Sequence, residues 1–157
     1  MPEMFIVRDA ITQDISELIS LANQWQVEGS SLGQTTIDFQ PYLTEPTKKL
    51  WVLEYQDKIV GFLAVAEYGH EVGVPHLAVF KSPSIYIEVE EIYVAPKYRS
   101  KGGGALLINK LKTTATKNGI TKFNVFSASK DLTAIIRFYQ RHGFNLWGMQ
   151  AALDIEK

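Results

Sequence analysis

The sequence predicts a mixed α/β sheet with helices on both faces, built as one domain of 157 residues. Strands outnumber helices along the chain, two of them form an early hairpin, and two strand–helix units follow late. No repeat, low-complexity tract or proline- or glycine/serine-rich linker divides the chain in two. At this length a single core can bury most of its apolar surface without disulfides or metals.

Residues 5–8 read as a short first strand. Ile15, Leu18, Ile19, Ala22 and Trp25 then recur at helical spacing, with Thr12 placed to cap the start. A polar, turn-rich segment, EGSSLGQTT, leads into a weaker helical stretch at 37–43. Residues 50–55 form a strand, Gln56-Asp57-Lys58 a hairpin turn, and 59–67 the returning strand. The segment 68–83 mixes turn formers with β-branched residues and receives no assignment. Residues 85–94 alternate β-branched and aromatic side chains, as a strand does. APKYRSKGGG breaks that pattern, and 105–115 is apolar on one face, as a helix should be. Residues 121–126 form the next strand. Asp131 is an N-cap for a helix carrying Ile135, Ile136, Phe138 and Tyr139, and Gly143 is placed to end it. Residues 144–155 are expected to close the sheet as a last strand.

Composition excludes several kinds of function. Hydrophobic residues at 46% and charged residues at 21% are those of an ordinary soluble globule, which argues against a disordered or membrane-embedded chain. A formal charge of −1 gives no electrostatic footprint for nucleic acid or an anionic membrane. The absence of cysteine removes thiolate nucleophiles, redox motifs and cysteine-based zinc sites. The opening residues MPEMFIVRDA lack the apolar core of a signal peptide, so a cytoplasmic protein is expected. A homodimer is left open.

The most informative stretch runs from the end of the fourth strand into the following helix, YVAPKYRSKGGGA. Glycines at a helix N-terminus present unpaired N–H groups at the positive end of the helix dipole and let a phosphate come close. Arg99 and Lys101 add full charges beside them. A flexible linker is the plainer reading, but glycine costs stability at a helix start unless it is used. A P-loop would need Lys and Ser/Thr directly after the last glycine, where Ala105-Leu106 stand. A dinucleotide fingerprint would need a small residue where Leu107 stands.

R-x-x-G-x-G after a strand is left. EEIYVAPKYRSKGGGALL resembles the acetyl-coenzyme A signature of the GNAT acetyltransferase superfamily, and AIIRFYQRHGF resembles its C-terminal signature. DKIVGFLAV is similar to the family's second hairpin strand, and the order of elements matches over nearly the whole chain. The resemblance implies a mostly antiparallel sheet with a V-shaped split between strands 4 and 5, and acetyl-CoA as cofactor. It implies that the main chain of Ile92, Tyr93 and Val94 pairs with the pantetheine arm. It also implies that the amides from Ser100 through Lys101, Gly102, Gly103 and Gly104 to Ala105 hold the pyrophosphate beside Arg99. The reaction implied is N-acetylation of a primary amine on a small molecule or peptide. The other reading kept open is a non-catalytic acyl-CoA-binding module.

Acetyl transfer needs an amine that loses a proton, a polarised carbonyl and a thiolate that is protonated as it leaves. Tyr139 falls where the family places its tyrosine acid; the competing role is a core aromatic. For the base, strict alternation puts Glu88 and Glu90 on one face of the fourth strand with Ile92 and Val94, and turns Glu91 the other way. Glu88 also stands where some family members carry a catalytic glutamate. Glu67, Glu71 and Glu28 fall in segments that border the acceptor cleft of similar proteins. Two departures from the family are Ser127, where some members have a glutamate, and Leu132, where some have an asparagine. The middle glycine, Gly103, stands where a large apolar residue is common, which is expected to loosen the loop.

Gly29-Ser30-Ser31-Leu32-Gly33 fits the G-x-S-x-G pattern, but it follows a helix rather than a strand, so a hydrolase elbow is not expected. His70, His76 and His142 lack metal-ligand spacing, and no metal is expected.

Overall fold

The computed structural model describes residues 4–70, 80 and 84–156. Five strands form one sheet in the order β1-β2-β3-β4-β5: Ile6–Asp9, Lys48–Tyr55, Lys58–Tyr68, Tyr86–Val94 and Phe123–Val125. The first four are antiparallel neighbours, and β5 runs parallel to β4. The helices are α1 (Ile15–Glu28), α2 (Gln40–Thr44), α3 (Gly103–Lys117) and α4 (Leu132–Arg141). Among the described residues no helix is long and apolar enough to cross a membrane.

The β2–β3 hairpin turns on Gln56 and Asp57, both with positive φ, and Tyr55 pairs with Lys58 across it. Two left-handed residues match the twist of the flanking strands, which is why polar residues stand there. The start of α1 differs from expectation. Thr12 lies in a 3₁₀ turn, Thr12–Asp14, and Asp14 accepts from the Ile11 amide at 2.8 Å while gripping Arg8 at 2.7 and 2.9 Å. Asp131 does cap α4, accepting from the Ala134 amide at 3.0 Å.

Two cores lie on opposite faces of the sheet. Leu18, Leu21 and Ala22 of α1, with Phe39, pack on Leu50, Val52, Phe62, Ala64 and Tyr93. Leu107, Leu111 and Ala115 of α3 pack on Trp51, Leu53, Leu63, Val65, Ile87 and Val89.

Simple alternation fails twice, each time at a bulge. Between Leu53↔Gly61 and Glu54↔Ile59, Val60 is the extra residue, so Val60 joins the α3 core and Ile59 the α1 core. Between Ala64↔Glu91 and Val65↔Val89, the extra residue is Glu90. An extra residue reverses the facing of everything beyond it. The expected grouping of Glu88 and Glu90 with Ile92 and Val94 is therefore corrected. Ile92 and Val94 pack with the α3 core, while Glu88, opposite Ala66, and Glu91, opposite Ala64, lie on the α1–α2 face with Tyr93.

Strand β4 pairs with β5 only at Ile87↔Phe123, Glu88↔Asn124 and Val89↔Val125. Beyond these pairs the sheet opens between strands 4 and 5, and residues 91–94 keep pairing with β3 alone. The expected last strand at 144–155 is not formed. This segment has no ladder partner among the described residues, and Leu146, Trp147, Met149, Leu153 and Ile155 are exposed. Strand β5 has three residues and offers only a short edge, and Gly148 and Ala151-Ala152 interrupt the alternation that a strand needs.

Phe62 is fully buried, edge-on to Phe39 at 5.3 Å and 6.2 Å from both Trp25 and Tyr93. Phe62→Ala should therefore cost about 3–5 kcal/mol. Urea denaturation checks this, and a loss below about 1 kcal/mol would contradict this account of the α1 core.

Candidate functional site

The site forms where β4 leaves β5 and turns into α3. After Val94 a 3₁₀ turn, Pro96–Tyr98, redirects the chain. Ser100 (φ 59°) and Gly102 (φ 89°) then take left-handed backbone to enter α3. A side chain in that conformation costs on the order of 1 kcal/mol, so Ser100 marks a strained entry that glycine relieves at 102. The first α3 bond is Leu106 N–H to Gly102 C=O at 3.1 Å. The amides of Gly103, Gly104 and Ala105 thus have no acceptor inside the helix. No side chain caps α3, and its first turn holds no acid. Bare donors and the positive dipole end make a place for an anion.

The three glycines have different reasons. Around Gly102 there is no atom within 4 Å of where a Cβ would stand, which leaves room for a ligand. Gly103 is buried, and a Cβ there would lie 2.5 Å from Leu53 Cδ2, so it lets α3 seat on β2 rather than loosening the loop. A Cβ on Gly104 would meet Phe138 of α4 at 3.0 Å. Residues 100–105 thus carry backbone donors with an open side at Gly102.

Arg99 is turned the other way. Its guanidinium holds Glu28, at the end of α1, through two bonds of 2.6 and 2.9 Å, and its Nε donates to the Val94 carbonyl at 2.7 Å. It also lies 5.4 Å over the Tyr93 ring, whose hydroxyl donates to Glu28 at 2.9 Å. Burial acts to raise the Glu28 carboxyl, but the hydrogen bonds from Arg99 and Tyr93 and the Arg99 charge outweigh it and hold the group below its ordinary range. Of the residues expected to contact phosphate, Arg99 is engaged with Glu28 and Val94, and the amides of Gly103, Gly104 and Ala105 have no acceptor within the helix. Lys101 is exposed beside the loop.

The carboxylates lie around the opening of the sheet. Both oxygens of Glu90 accept from phenols, Tyr42 of α2 and Tyr68 at the end of β3, each at 2.5 Å. The Glu90 bonds and burial drive both phenols far above their usual range; burial leads for Tyr42 and the bond to Glu90 leads for Tyr68. Glu88 accepts from Asn124 of β5 at 3.3 Å. Glu91 is half-buried, and its carboxyl is pushed up to about 7 by burial and then by the neighbouring Glu90 charge. Glu67 pairs with His70 at 3.0 Å. Glu71 and His76 lie outside the described residues.

Tyr139 is 8% exposed, between Phe138 and Phe144, and burial raises its phenol so that it keeps its proton at neutral pH. The segment after α1 crosses to the segment after β5. Leu32 N–H donates to Ala128 at 2.6 Å, Lys130 N–H donates to Ser30 at 2.9 Å, and Ser31 bridges Ser129. Ser31 thus lies in a turn tied to another loop, not on a strand-to-helix elbow. Gln34 is half-buried, and neither polar atom of its amide has a hydrogen-bond partner among the described residues. No group of three His, Cys, Asp or Glu there could hold a metal.

Alternation alone misses Glu91, because only the unpaired Glu90 turns its neighbour onto this face. Tyr42, Tyr68, Asn124 and Gln34 carry no motif. The one sequence signal was the doublet Glu90-Glu91, which breaks the alternation of glutamate and apolar residues begun at Glu88.

A family model described as acetyltransferase (GNAT) family matches residues 12–144. No curated protein matches the sequence. Among solved structures the chain is similar to an aminoglycoside acetyltransferase from an uncultured soil metagenomic sample, at 16% identity and TM-score 0.70, over 98% of this chain and 96% of that one. It is also similar to a predicted acetyltransferase with acetyl-CoA from Clostridium acetobutylicum, at 21% identity and TM-score 0.68, over 97% of each. An aminoglycoside 6'-N-acetyltransferase from Acinetobacter baumannii matches at 13% identity and TM-score 0.71, over 98% and 99%. At these identities the likeness establishes the fold.

The Arg99–Glu28 pair allows a test with a definite sign. A carboxyl held below its unfolded value, roughly 4.3, stabilises the fold above that pH and loses the contribution as pH falls through the folded value. Glu28→Gln should cost under about 1 kcal/mol at pH 7, since Arg99 is 41% exposed. Paired denaturation curves should converge as pH falls below the folded value; a gap that persists there would show that the charge is not what Glu28 contributes.

Proposed function

Because this chain belongs to the acetyltransferase (GNAT) family, we propose that it is an N-acetyltransferase that moves an acetyl group from acetyl-CoA to a primary amine of a small molecule or peptide by direct attack. The observation that carries this reading is the pairing of two unfilled backbone surfaces. Residues 90–94 of β4 have an edge that β5 does not cover, and directly after them the amides of Gly103, Gly104 and Ala105 have no helical acceptor.

The co-substrate supplies an acetyl thioester. In this reading the main chain of Ile92, Tyr93 and Val94 pairs with its pantetheine arm as an added strand would. The amides of Ser100, Lys101, Gly102, Gly103, Gly104 and Ala105 hold its pyrophosphate. Arg99 joins them only by exchanging Glu28 for phosphate. Tyr139, kept protonated by burial, gives its proton to the departing thiolate. Glu88 and Glu90 bring negative charge to the acceptor side and draw in a cationic amine, and a carboxylate there takes the amine's proton. Gln34, whose amide has no hydrogen-bond partner among the described residues, is available to a polar group of the acceptor. Two of the solved neighbours are aminoglycoside acetyltransferases, which supports a cationic acceptor class. With no cysteine and no membrane-spanning helix among the described residues, the cytoplasm is the proposed compartment.

Acetyl-CoA at about 100 times its dissociation constant should add roughly 2.7 kcal/mol, a rise of about 5–10 °C in Tm. An absent shift at millimolar acetyl-CoA would overturn the reading. In the same assay Tyr139→Phe should keep the shift while turnover falls on the order of tenfold or more. An unchanged rate would return Tyr139 to the core.

A further inference from the structure

Three carboxylates of β4 face the acceptor side, and their surroundings separate their roles. Glu88 lies within the section where β4 and β5 still pair, and Asn124 of β5 donates to it. Glu90 is the bulged residue and is clamped, with Tyr42 on one oxygen and Tyr68 on the other. Glu91 is the first ladder residue beyond the last β4–β5 pair, next to Ile92. Its carboxyl has no hydrogen bond among the described residues, and it is half-buried on the face that carries α1 and α2.

Resting on the acetyltransferase reading above, we infer that Glu91, rather than Glu88 or Glu90, is the group that accepts the proton of the acceptor amine, and that Glu90, fixed by Tyr42 and Tyr68, is the positioning charge that draws the amine to it. A proton acceptor needs a free lone pair beside the reacting atoms, and Glu91 has both of its oxygens available. A fixed anion needs rigid partners, and Glu90 has two.

Glu91 feels the Glu90 charge on its own strand and couples to Tyr42 of α2, while Glu88 lies on the same face and Tyr68 of β3 is held by Glu90. Burial and the Glu90 charge place its titration near neutrality, where a base works best. In the step, the Glu91 carboxylate takes one proton from the ammonium, the freed lone pair forms the bond from nitrogen to the thioester carbonyl carbon, and the second nitrogen proton passes to solvent. The carbon–sulfur bond breaks, its electron pair leaves with sulfur, and Tyr139 protonates that thiolate.

Two probe acceptors test the assignment: benzylamine, which is protonated at neutral pH, and aniline, which is not. With benzylamine, Glu91→Gln should lower kcat/KM by on the order of 100-fold at pH 7, with the deficit shrinking towards about pH 9 as free amine appears. With aniline the change should stay within about threefold, because no proton must be removed before attack. Glu90→Gln and the Tyr42→Phe/Tyr68→Phe pair should act on benzylamine mainly through KM. An equal loss on both amines makes Glu91 structural and overturns the assignment, as does an unchanged benzylamine rate. An arm free of any acceptor is carbon-13 titration of the carboxyls. The Glu91 midpoint should lie near pH 7 and fall in Glu90→Gln, and a wild-type midpoint near the ordinary 4.3 or so would overturn the inference whichever probe is accepted. A protein that shifts its Tm with acetyl-CoA and acetylates amines, but ignores Glu91→Gln, keeps the acetyltransferase reading and loses this one.

Discussion

Glu90 stands where β4 stops keeping step with β3, since Ala64 pairs with Glu91 and Val65 with Val89. Inserting one residue into a ladder bends the strand and turns the following side chains over. Just before it, β4 makes its last pair with β5, at Val89↔Val125. The bulge and the opening of the sheet therefore fall at the same place. One step gives the strand an uncovered edge, and the other brings acidic side chains onto the α1–α2 face beside that edge.

The two cores depend on the same geometry. Beyond the bulge, Ile92 and Val94 go to the α3 side, where they pack against the cluster that holds Leu107 and Leu111. Tyr93 goes to the α1 side and stacks on Trp25 at 5.0 Å. Because Tyr93 also donates to Glu28, and Glu28 holds Arg99, the end of α1 is tied to the loop that starts α3. Leu53 presses against Gly103 from β2, so the helix whose amides form the anion cradle is set against the middle of the sheet. A phosphate at the cradle and an amine on the acceptor side would thus meet across one rigid strand. Under the proposed function, a phosphate ligand would compete with Glu28 for Arg99.

Much of this was legible in the residues. The hairpin at Gln56-Asp57, the Asp131 cap and the glycine entry to α3 all follow from local backbone chemistry, and each is found. The loop motif pointed to an anionic ligand because bare amides at a helix start have few other uses. What escaped depends on register. Two-residue alternation places Glu91 away from Glu88, and only the partner strand reveals that Glu90 is skipped. Tyr42 and Tyr68 reach Glu90 from elements far apart in sequence, so no spacing announces them. The segment 144–155 misleads for a related reason. Its apolar residues read as a strand, yet a strand exists only against a partner, and β5 is three residues long.

The central claim is that an uncovered strand edge and a bare helix N-terminus together form one co-substrate surface. Amide hydrogen exchange, measured with and without acetyl-CoA, addresses both halves at once. The account predicts slowed exchange at residues 92–94 and 100–105, with residues 50–54 of β2 unchanged. Protection confined to other parts of the chain, or none at these two segments under saturating acetyl-CoA, would contradict it.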